Sequence, residues 1–415
     1  MRRAPLAILI VALAAAGQGP AAAAFVAAAG KLDITPTRSV YIAGYGANRR
    51  SEGIHDPLWA RCLVMRSGDQ ALALVCCDLL GLTRRHVLEI RRLVRSVPPE
   101  RVLVGVTHTH SGPDTYGQWG PSPTESGVDR AWMADLVRRI AALVDETAGR
   151  LRPATVRFGT REDVKDCSYN ARVAEILDTE LGAMQVVDAA GKTVATLVNY
   201  ACHPEVLDNH QITSDFPHWL RQRVEERLGG VAIYANGAQG GMVTALIHNE
   251  SGFPKGEAWP EAERIGRALG EAALAALDGA AEVRDPAITF ARRVYKVPMG
   301  NAAFRALMEA GVLPNDLNPD GTITTEVVRF TVGSSEWLTL PGEVLPNIGL
   351  RLKRKMAGTP RFLLGLTGDA LGYILTPEDY GLKLYAYETR VSVGEQMGAL
   401  MESNLLAMMP GAARR

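Results

Sequence analysis

The sequence predicts an α/β fold, a single large domain with a central mixed β-sheet flanked by helices. Short apolar runs typical of buried strands, such as 102–106 and 193–200, alternate with longer segments whose apolar residues recur at helical spacing, such as 83–97. Clusters of polar residues directly follow several of these runs. In α/β proteins, functional sites form where strands end, so these clusters are the first places to search for a site.

The same alternation continues along the chain. The segment 299–324 carries several turn signals, and we expect an insertion or a lid there. The remaining patterns predict strands at 59–65, 71–77, 231–235, 327–332, 336–340 and 361–366, and helices at 129–151, 216–228, 261–277 and 344–356.

Composition is that of a globular protein, since 47% of the 415 residues are hydrophobic and 22% are charged. Lys and Arg together number 45, as do Asp and Glu, so the formal net charge is zero. A general nucleic-acid-binding protein needs a basic excess to neutralise phosphates. The charge balance therefore argues against a nucleic-acid partner.

Residues 1–24 have the pattern of a secretory signal peptide. Arg2 and Arg3 precede a short apolar core at 6–16, and small residues at 21–24 suit cleavage. A membrane anchor is the alternative. We therefore expect a periplasmic or secreted protein whose residues 25–415 form the functional domain.

Five cysteines stand at positions 62, 76, 77, 167 and 202. An oxidising compartment permits disulfides, but an odd count leaves at least one thiol free. No C-x-x-C pair is present. We expect the cysteines to be structural, several of them packed within apolar runs.

His108 and His110 are the sharpest local signal for chemistry. Two residues apart on an extended segment, their imidazoles would project to one side and suit a transition metal such as zinc. Two hydrogen-bonded histidines near a turn are the alternative. Together with His203 and His210, half of the eight histidines lie in two loops that follow strands, which favours a metal site.

Taken in order, several segments resemble the catalytic domain of the neutral/alkaline, non-lysosomal ceramidase family. The run Thr107 to Pro113, which reads Thr-His-Thr-His-Ser-Gly-Pro, is the most specific. The others are Leu32-Asp33-Ile34-Thr35, Gly44-Tyr45-Gly46, Gly53-Ile54-His55, Asn199 to Pro204, Asp215-Phe216-Pro217, Pro341-Gly342-Glu343, Gly372-Tyr373 and Pro377-Glu378-Asp379-Tyr380.

The resemblance implies one catalytic zinc ion per chain, at the carboxyl ends of strands. Its ligands would be His108, His203, Glu343 and Tyr373, with His110 beside the metal and in contact with the reacting group. Without the resemblance, Glu343 is an ordinary first-turn acid and Tyr373 a packing residue. The implied substrate-binding residues are Gly46, Arg172, Asn236 and Tyr387.

Two departures from the family pattern concern the substrate. The family's ceramidases carry a Gly-Asp-x-Ser-Pro segment whose serine acts at the scissile amide, but here the strand end reads Asn236-Gly237-Ala238-Gln239-Gly240-Gly241. Gly240 stands nearest the serine position, and the next hydroxyl is Thr244. The family's Asn-Arg pair is replaced by Asn170-Ala171-Arg172. The C-terminal immunoglobulin-like domain of longer ceramidases is also expected to be missing.

From these residues we expect a zinc-dependent hydrolase that cleaves an N-acyl amide, ceramide-like or smaller, by zinc-activated water. The glycines at 237, 240 and 241 would offer backbone N–H donors, and Asp215 would orient a ligand histidine or cap a helix. An ester, lactone or small soluble amide is the alternative substrate, and a non-catalytic zinc-binding protein is a further one. The expected partner is a small-molecule or lipid amide. Peripheral contact with membrane lipid and the oligomeric state stay open.

Overall fold

A computed structural model describes residues 24–244 and 258–410. The predicted α/β class, with a large mixed sheet flanked by helices, is confirmed. The signal peptide predicted for residues 1–24 lies, except for Ala24, outside the described residues. Within the described ranges, no helix is long and apolar enough to cross a membrane.

The large sheet has nine strands. The long strands are β1 (Phe25–Asp33), β2 (Trp59–Ser67), β3 (Gln70–Cys77), β4 (Val102–Val106), β5 (Arg152–Arg161), β6 (Leu181–Asp188), β7 (Thr193–Tyr200) and β8 (Val231–Asn236). Their spatial order is β8-β7-β6-β5-β1-β2-β3-β4, and a short strand, Glu282–Val283, pairs with β5. Only the outer pairs β7–β8 and β3–β4 are parallel.

This sheet curls until its two outer parallel pairs lie against each other. β1 and β5 join the two halves through only two residue pairs. At the far edges, the Cys76 thiol lies 2.9 Å from the carbonyl oxygen of Tyr234, and the Asn236 amide donates to the carbonyl oxygen of Thr107 at 3.0 Å. Loops that follow strands in opposite halves of the sheet therefore meet.

A second sheet of four strands packs on the first. Trp337 stacks on Phe362 at 3.7 Å between ring centroids, and both belong to a buried cluster that includes Leu103 and Leu197 of the large sheet. The strands, in spatial order, are β9 (Ile288–Pro298), β10 (Thr322–Val332), β11 (Ser335–Thr339) and β12 (Arg361–Leu364). Only β11 and β12 are parallel to each other.

Helices cover the outer faces. They are α1 (Arg84–Leu93), α2 (Arg130–Ala148), α3 (Pro217–Leu228), α4 (Ala258–Leu277), α5 (Ala302–Glu309), α6 (Pro346–Lys355), α7 (Ala386–Arg390) and α8 (Met397–Leu406), with 3₁₀ turns at Pro99–Arg101 and Lys383–Tyr385. α1 and α2 pack their apolar faces on one half of the large sheet, and α3 and α4 pack on the other half.

Three two-stranded pairs complete the secondary structure of the described ranges. They are Gly53–Ile54 with Gln211–Ile212, Tyr169–Asn170 with Met242–Val243, and Glu343–Val344 with Tyr373–Ile374. All five cysteines are buried and free, so none pairs with another in this structure. Burial raises the pKa of the Cys62 thiol to about 12, which makes it inert as a nucleophile.

Candidate functional site

Four side chains meet where the parallel strand pairs of both sheets end. His108 follows β4, His203 follows β7, Glu343 follows β11 and Tyr373 follows β12. Glu343 and Tyr373 are then direct partners in a short parallel pair. Because the curled sheet brings its outer pairs together, all four arrive at one place.

The polar atoms of these side chains converge closely. Glu343 Oε2 lies 3.3 Å from His108 Nε2 and 3.0 Å from His203 Nε2. The hydroxyl of Tyr373 lies 3.4 Å from His203 Nε2. Both histidines and the glutamate are buried. Two nitrogens and two oxygens thus surround a small space with little access to solvent.

Backbone carbonyls fix the orientation of the two histidines. His108 Nδ1 lies 2.6 Å from the carbonyl oxygen of Leu80, and His203 Nδ1 lies 2.9 Å from that of Met242. A carbonyl oxygen can only accept, so each Nδ1 carries a proton, and Nε2 is the ring nitrogen that faces Glu343. Metal-ligating histidines are commonly held in this way.

A turn of the backbone brings His108 and His110 to the site. The prediction of an extended segment was wrong, because His108 has a φ of 71°, in the left-handed region. The ring centroids of His108 and His110 are nevertheless 5.0 Å apart, and those of His108 and His203 are 4.8 Å apart. A non-glycine residue in this region is strained, and such strain concentrates at functional sites.

Electrostatics favour a positive charge among these side chains. Burial alone would raise the pKa of Glu343, but His108 and His203 hold it well below its usual range. Burial would lower the pKa of His203, yet Glu205 and Glu343 raise it to about 9. Burial and the charge of Glu343 raise the pKa of the Tyr373 hydroxyl, and a divalent cation would act in the opposite direction.

These residues fit a transition metal ion. Nitrogen atoms of His108, His110 and His203 lie within 4.8 Å of one another. Within the described ranges, this is the one cluster of three or more His, Cys, Asp or Glu side chains close enough to hold a metal ion. Imidazole nitrogen and carboxylate oxygen are ordinary zinc ligands.

His110 is the third histidine of this cluster. The ring is buried, and neither nitrogen has a hydrogen-bond partner. Gly44 packs against it so closely that a Cβ on Gly44 would lie 2.5 Å from His110 Cγ, and Tyr45 meets the ring edge-on at 5.1 Å. Burial and the neighbouring His108 keep the pKa of His110 well below its usual range. A neutral imidazole therefore faces the site.

The site forms the floor of a half-open cleft whose empty space, together with the solvent at its mouth, is about 750 Å³. His108, His110, Glu343 and Tyr373 line the floor. The segment 299–324, predicted as an insertion or lid, contributes α5 and part of the wall. The apolar residues of the wall were not predicted from the sequence, chief among them Met299, Phe304, Met308, Leu313, Leu371 and Val393.

Asn236 and Gly240 both make contacts that hold the fold together around the site. The Asn236 amide donates to the carbonyl oxygens of Thr107 and Cys202 at 3.0 and 2.8 Å, so it joins the two ligand loops. The N–H of Gly240 donates to Val344 O at 2.8 Å. A Cβ at Gly240 would lie 2.5 Å from the Glu343 carbonyl oxygen. Gly240 is therefore a packing glycine, and its amide is not available as an oxyanion donor.

Of the other predicted site residues, one lines the cleft and three lie outside its lining. Tyr387 lines the cleft. Gly46 is exposed and outside the cleft lining, and Arg172 forms an ion pair with Glu388 at 2.7 Å. The Asp215 carboxylate accepts the N–H groups of Leu207 and Phe216, so it holds the loop after His203 without touching the ring.

Glu205 was not predicted, although it stands only two residues after His203. Its carboxylate is buried, with Oε2 3.8 Å from His110 Nδ1 and Oε1 without a hydrogen-bond partner. Burial raises its pKa above the ordinary value. The H-P-E sequence was the available signal, but nothing in it showed that the carboxylate points inward.

Known proteins share this architecture. The chain is 24% identical to the neutral ceramidase of Mycobacterium tuberculosis (strain H37Rv) over 464 aligned positions, which cover 87% of this chain and 72% of that protein. The crystal structure of neutral ceramidase from Pseudomonas aeruginosa superposes with a TM-score of 0.76 at 20% identity, covering 93% of this chain and 74% of that one. A ceramidase complexed with C2 gives the same TM-score at 19% identity, covering 93% and 75%.

The family profile described as neutral/alkaline non-lysosomal ceramidase, N-terminal, matches residues 25–252. That range is more than half of the 415 residues and includes the loops of His108 and His203. The chain therefore belongs to the neutral/alkaline non-lysosomal ceramidase family.

Proposed function

We propose that this protein is a zinc-dependent hydrolase that cleaves the N-acyl amide bond of ceramide or of a smaller, related amide. The convergence of Glu343 Oε2 with the Nε2 atoms of His108 and His203, at the floor of an apolar cleft, carries the proposal. Membership of a ceramidase family supports the amide as the bond that is cleaved.

Zinc would be held by His108, His203, Glu343 and Tyr373. Bound there, the ion would polarise the scissile carbonyl and lower the pKa of a water molecule toward about 7. The carbonyls of Leu80 and Met242 orient the two histidines for this role. Both Nε2 atoms contact the same carboxylate oxygen of Glu343.

His110 is the residue that acts on the substrate. In the hydrolysis, the carbon–nitrogen bond breaks, a bond forms from carbon to the oxygen of water, and a proton passes to the leaving nitrogen. With neither ring nitrogen engaged elsewhere, His110 can donate a hydrogen bond to the developing oxyanion or pass that proton. Gly44 makes this position possible because any side chain there would overlap the ring.

The proposed hydrolysis does not use a serine. Backbone atoms of residues 343 and 344 fill the space beside Gly240, so a side chain could not be accommodated there without a shift. Attack by water needs only the floor residues. An ester of similar shape is the second candidate substrate, because the floor then binds the same carbonyl group.

Metal content tests the ligand assignment. Elemental analysis should find about one zinc per chain, as in other sites with these ligands, and almost none in the double variant His108→Ala/His203→Ala. His55→Ala/His210→Ala is the matched control, since it removes two histidines outside the cluster. Unchanged zinc in the first variant would refute the assignment.

Activity tests the reaction. The zinc-loaded protein should be assayed on ceramides of short and long acyl chain, a soluble N-acyl amide and a matched ester. Release of amine from the amides supports the proposal, whereas turnover of the ester alone would replace it with an esterase.

Export is also proposed, because residues 1–24 have the features of a signal peptide. Mass spectrometry of protein recovered from the periplasm or medium should show a new N-terminus near Ala24. A soluble cytoplasmic protein that retains Met1 would contradict export.

A further inference from the structure

Exposed apolar side chains are concentrated on one short segment. Seven large hydrophobic residues are exposed within the described ranges, and three of them, Leu382, Leu384 and Tyr387, lie within six positions. Their exposed fractions are 49%, 50% and 46%. We call residues 381–390 the rim segment. Scattered single apolar residues need no explanation, but a group of three on one segment does.

Buried contacts attach the rim segment to the rest of the fold. Tyr385 is buried against Leu345 and Leu375, and the buried Glu388 pairs with Arg172 at 2.7 Å. Backbone hydrogen bonds close its turns, from Tyr385 N to Leu382 O and from Val391 N to Tyr387 O. The outward direction of Leu382 and Leu384 is thus fixed by the fold.

The segment lies at the opening of the cleft. Tyr387 lines the cleft, and its ring is 5.7 Å from that of Tyr373 on the floor. Val391, the residue directly after the segment, is also in the cleft wall. An apolar molecule that passes from the surface of the rim segment into the cleft would therefore meet Tyr387 and Val391.

Charges on the segment are basic. Lys383 stands between the two leucines, and Arg390 lies over the Tyr387 ring at 5.6 Å. Both basic residues are exposed, whereas the acid of the segment, Glu388, is buried in its ion pair. The nearest exposed acid in sequence is Glu378, four positions before the first leucine. Aliphatic side chains flanked by exposed cations match the interface of an anionic bilayer.

We propose that the rim segment docks this protein on an anionic lipid bilayer, with Leu382 and Leu384 inserted at the interface and Lys383 and Arg390 against the headgroups. The cleft then opens toward the membrane. A partner protein would be expected to need a larger apolar area than two leucines and one tyrosine supply. The proposal goes beyond the hydrolytic function, and its test uses no substrate, so either can fail alone.

Vesicle cosedimentation tests the docking. The purified full protein is mixed with phosphatidylcholine vesicles with or without phosphatidylglycerol, after mass spectrometry has shown the same N-terminus in every variant. Leu382→Ser/Leu384→Ser should weaken binding by about 10-fold or more, because two half-exposed leucines no longer enter the interface. Lys383→Ser should weaken binding about 5-fold, and only to vesicles with the anionic lipid.

The matched control is Ile54→Ser/Val294→Ser, which removes two apolar side chains with similar exposed fractions, 54% and 47%, from other parts of the surface. It should bind as the wild type does. If Leu382→Ser/Leu384→Ser melts at a lower temperature than the wild type, the single variant Leu382→Ser replaces it in the binding assay.

Three results would overturn the proposal. One is a wild-type protein that does not sediment with anionic vesicles. Another is an equal loss of binding in the control variant. The third is a change of oligomeric state in Leu382→Ser/Leu384→Ser by analytical ultracentrifugation, which would assign the leucines to a second copy of the chain.

Discussion

The floor and the wall of the cleft are built in different ways. Each floor ligand follows a strand of a sheet, and hydrogen bonds hold His108 and His203 to backbone carbonyls. The wall comes from α5 and from irregular segments, and most of its side chains are apolar. The floor therefore sets which bond reacts, and the wall sets which molecules fit. Changes in the floor should alter kcat, and changes in the wall should alter KM.

His110→Ala is expected to have the largest effect on catalysis among these tests. Loss of one donor to a developing oxyanion typically lowers kcat by about 10²–10³-fold. Zinc content should be unchanged, because the four proposed ligands are still present. Steady-state kinetics with elemental analysis checks both. If kcat were normal, the floor would contain a different acting residue.

Asn236→Ala separates positioning from ligation on the floor. The amide joins the loops of His108 and His203 through two backbone carbonyls. Loss of groups that hold metal ligands in place typically lowers metal affinity by about 10–100-fold. Competition with a chelator measures this affinity. Asn199→Ala is a useful comparison, since that buried amide joins other backbone carbonyls, those of Ala235 and Leu363. An equal loss of affinity in both variants would show a general effect on the fold.

Phe304→Ala/Met308→Ala tests the wall. The variant removes apolar surface, so KM for a long acyl chain should rise about 10-fold, given about 0.8 kcal/mol for each buried CH₂. The kcat should be nearly unchanged, and a short acyl substrate serves as the internal control. A fall in kcat for both substrates would contradict the division between floor and wall.

Thr244→Ala should have almost no effect. Thr244 carries the hydroxyl nearest in sequence to Gly240, and direct attack by water does not need it. Rapid-mixing kinetics should show no burst of released amine in either protein. A burst that disappears in Thr244→Ala would indicate a covalent intermediate and would end the serine-free mechanism.

The four proposed ligands could be singled out before the structure for a physical reason. Each follows an apolar run that was recognisable as a strand, and the family resemblance supplied their roles. The contacts of Asn236 and Arg172 could not be predicted, because polar residues near a site look alike in sequence. Their partners decide what they do, and Arg172 pairs with a residue 216 positions away.

Several elements could not be predicted from local pattern. β1 is rich in alanine, which favours helix in isolation, and it is a strand because β2 and β5 pair with it on either side. The wall residues have no periodicity, since α5 is short and the rest is irregular. Glu205 differs again, because only the tertiary fold turns its carboxylate toward His110.

The four converging donors are widely separated along the chain, at positions 108, 203, 343 and 373. An ion that binds them all would therefore act as a cross-link between the two sheets, and it would bind the folded chain far better than the unfolded one. By mass action, free metal at about 1,000 times its Kd adds about 4 kcal/mol to the free energy of unfolding. The availability of metal while the chain is synthesised and folds would then determine how much of the protein survives proteolysis, as well as how much of it is active.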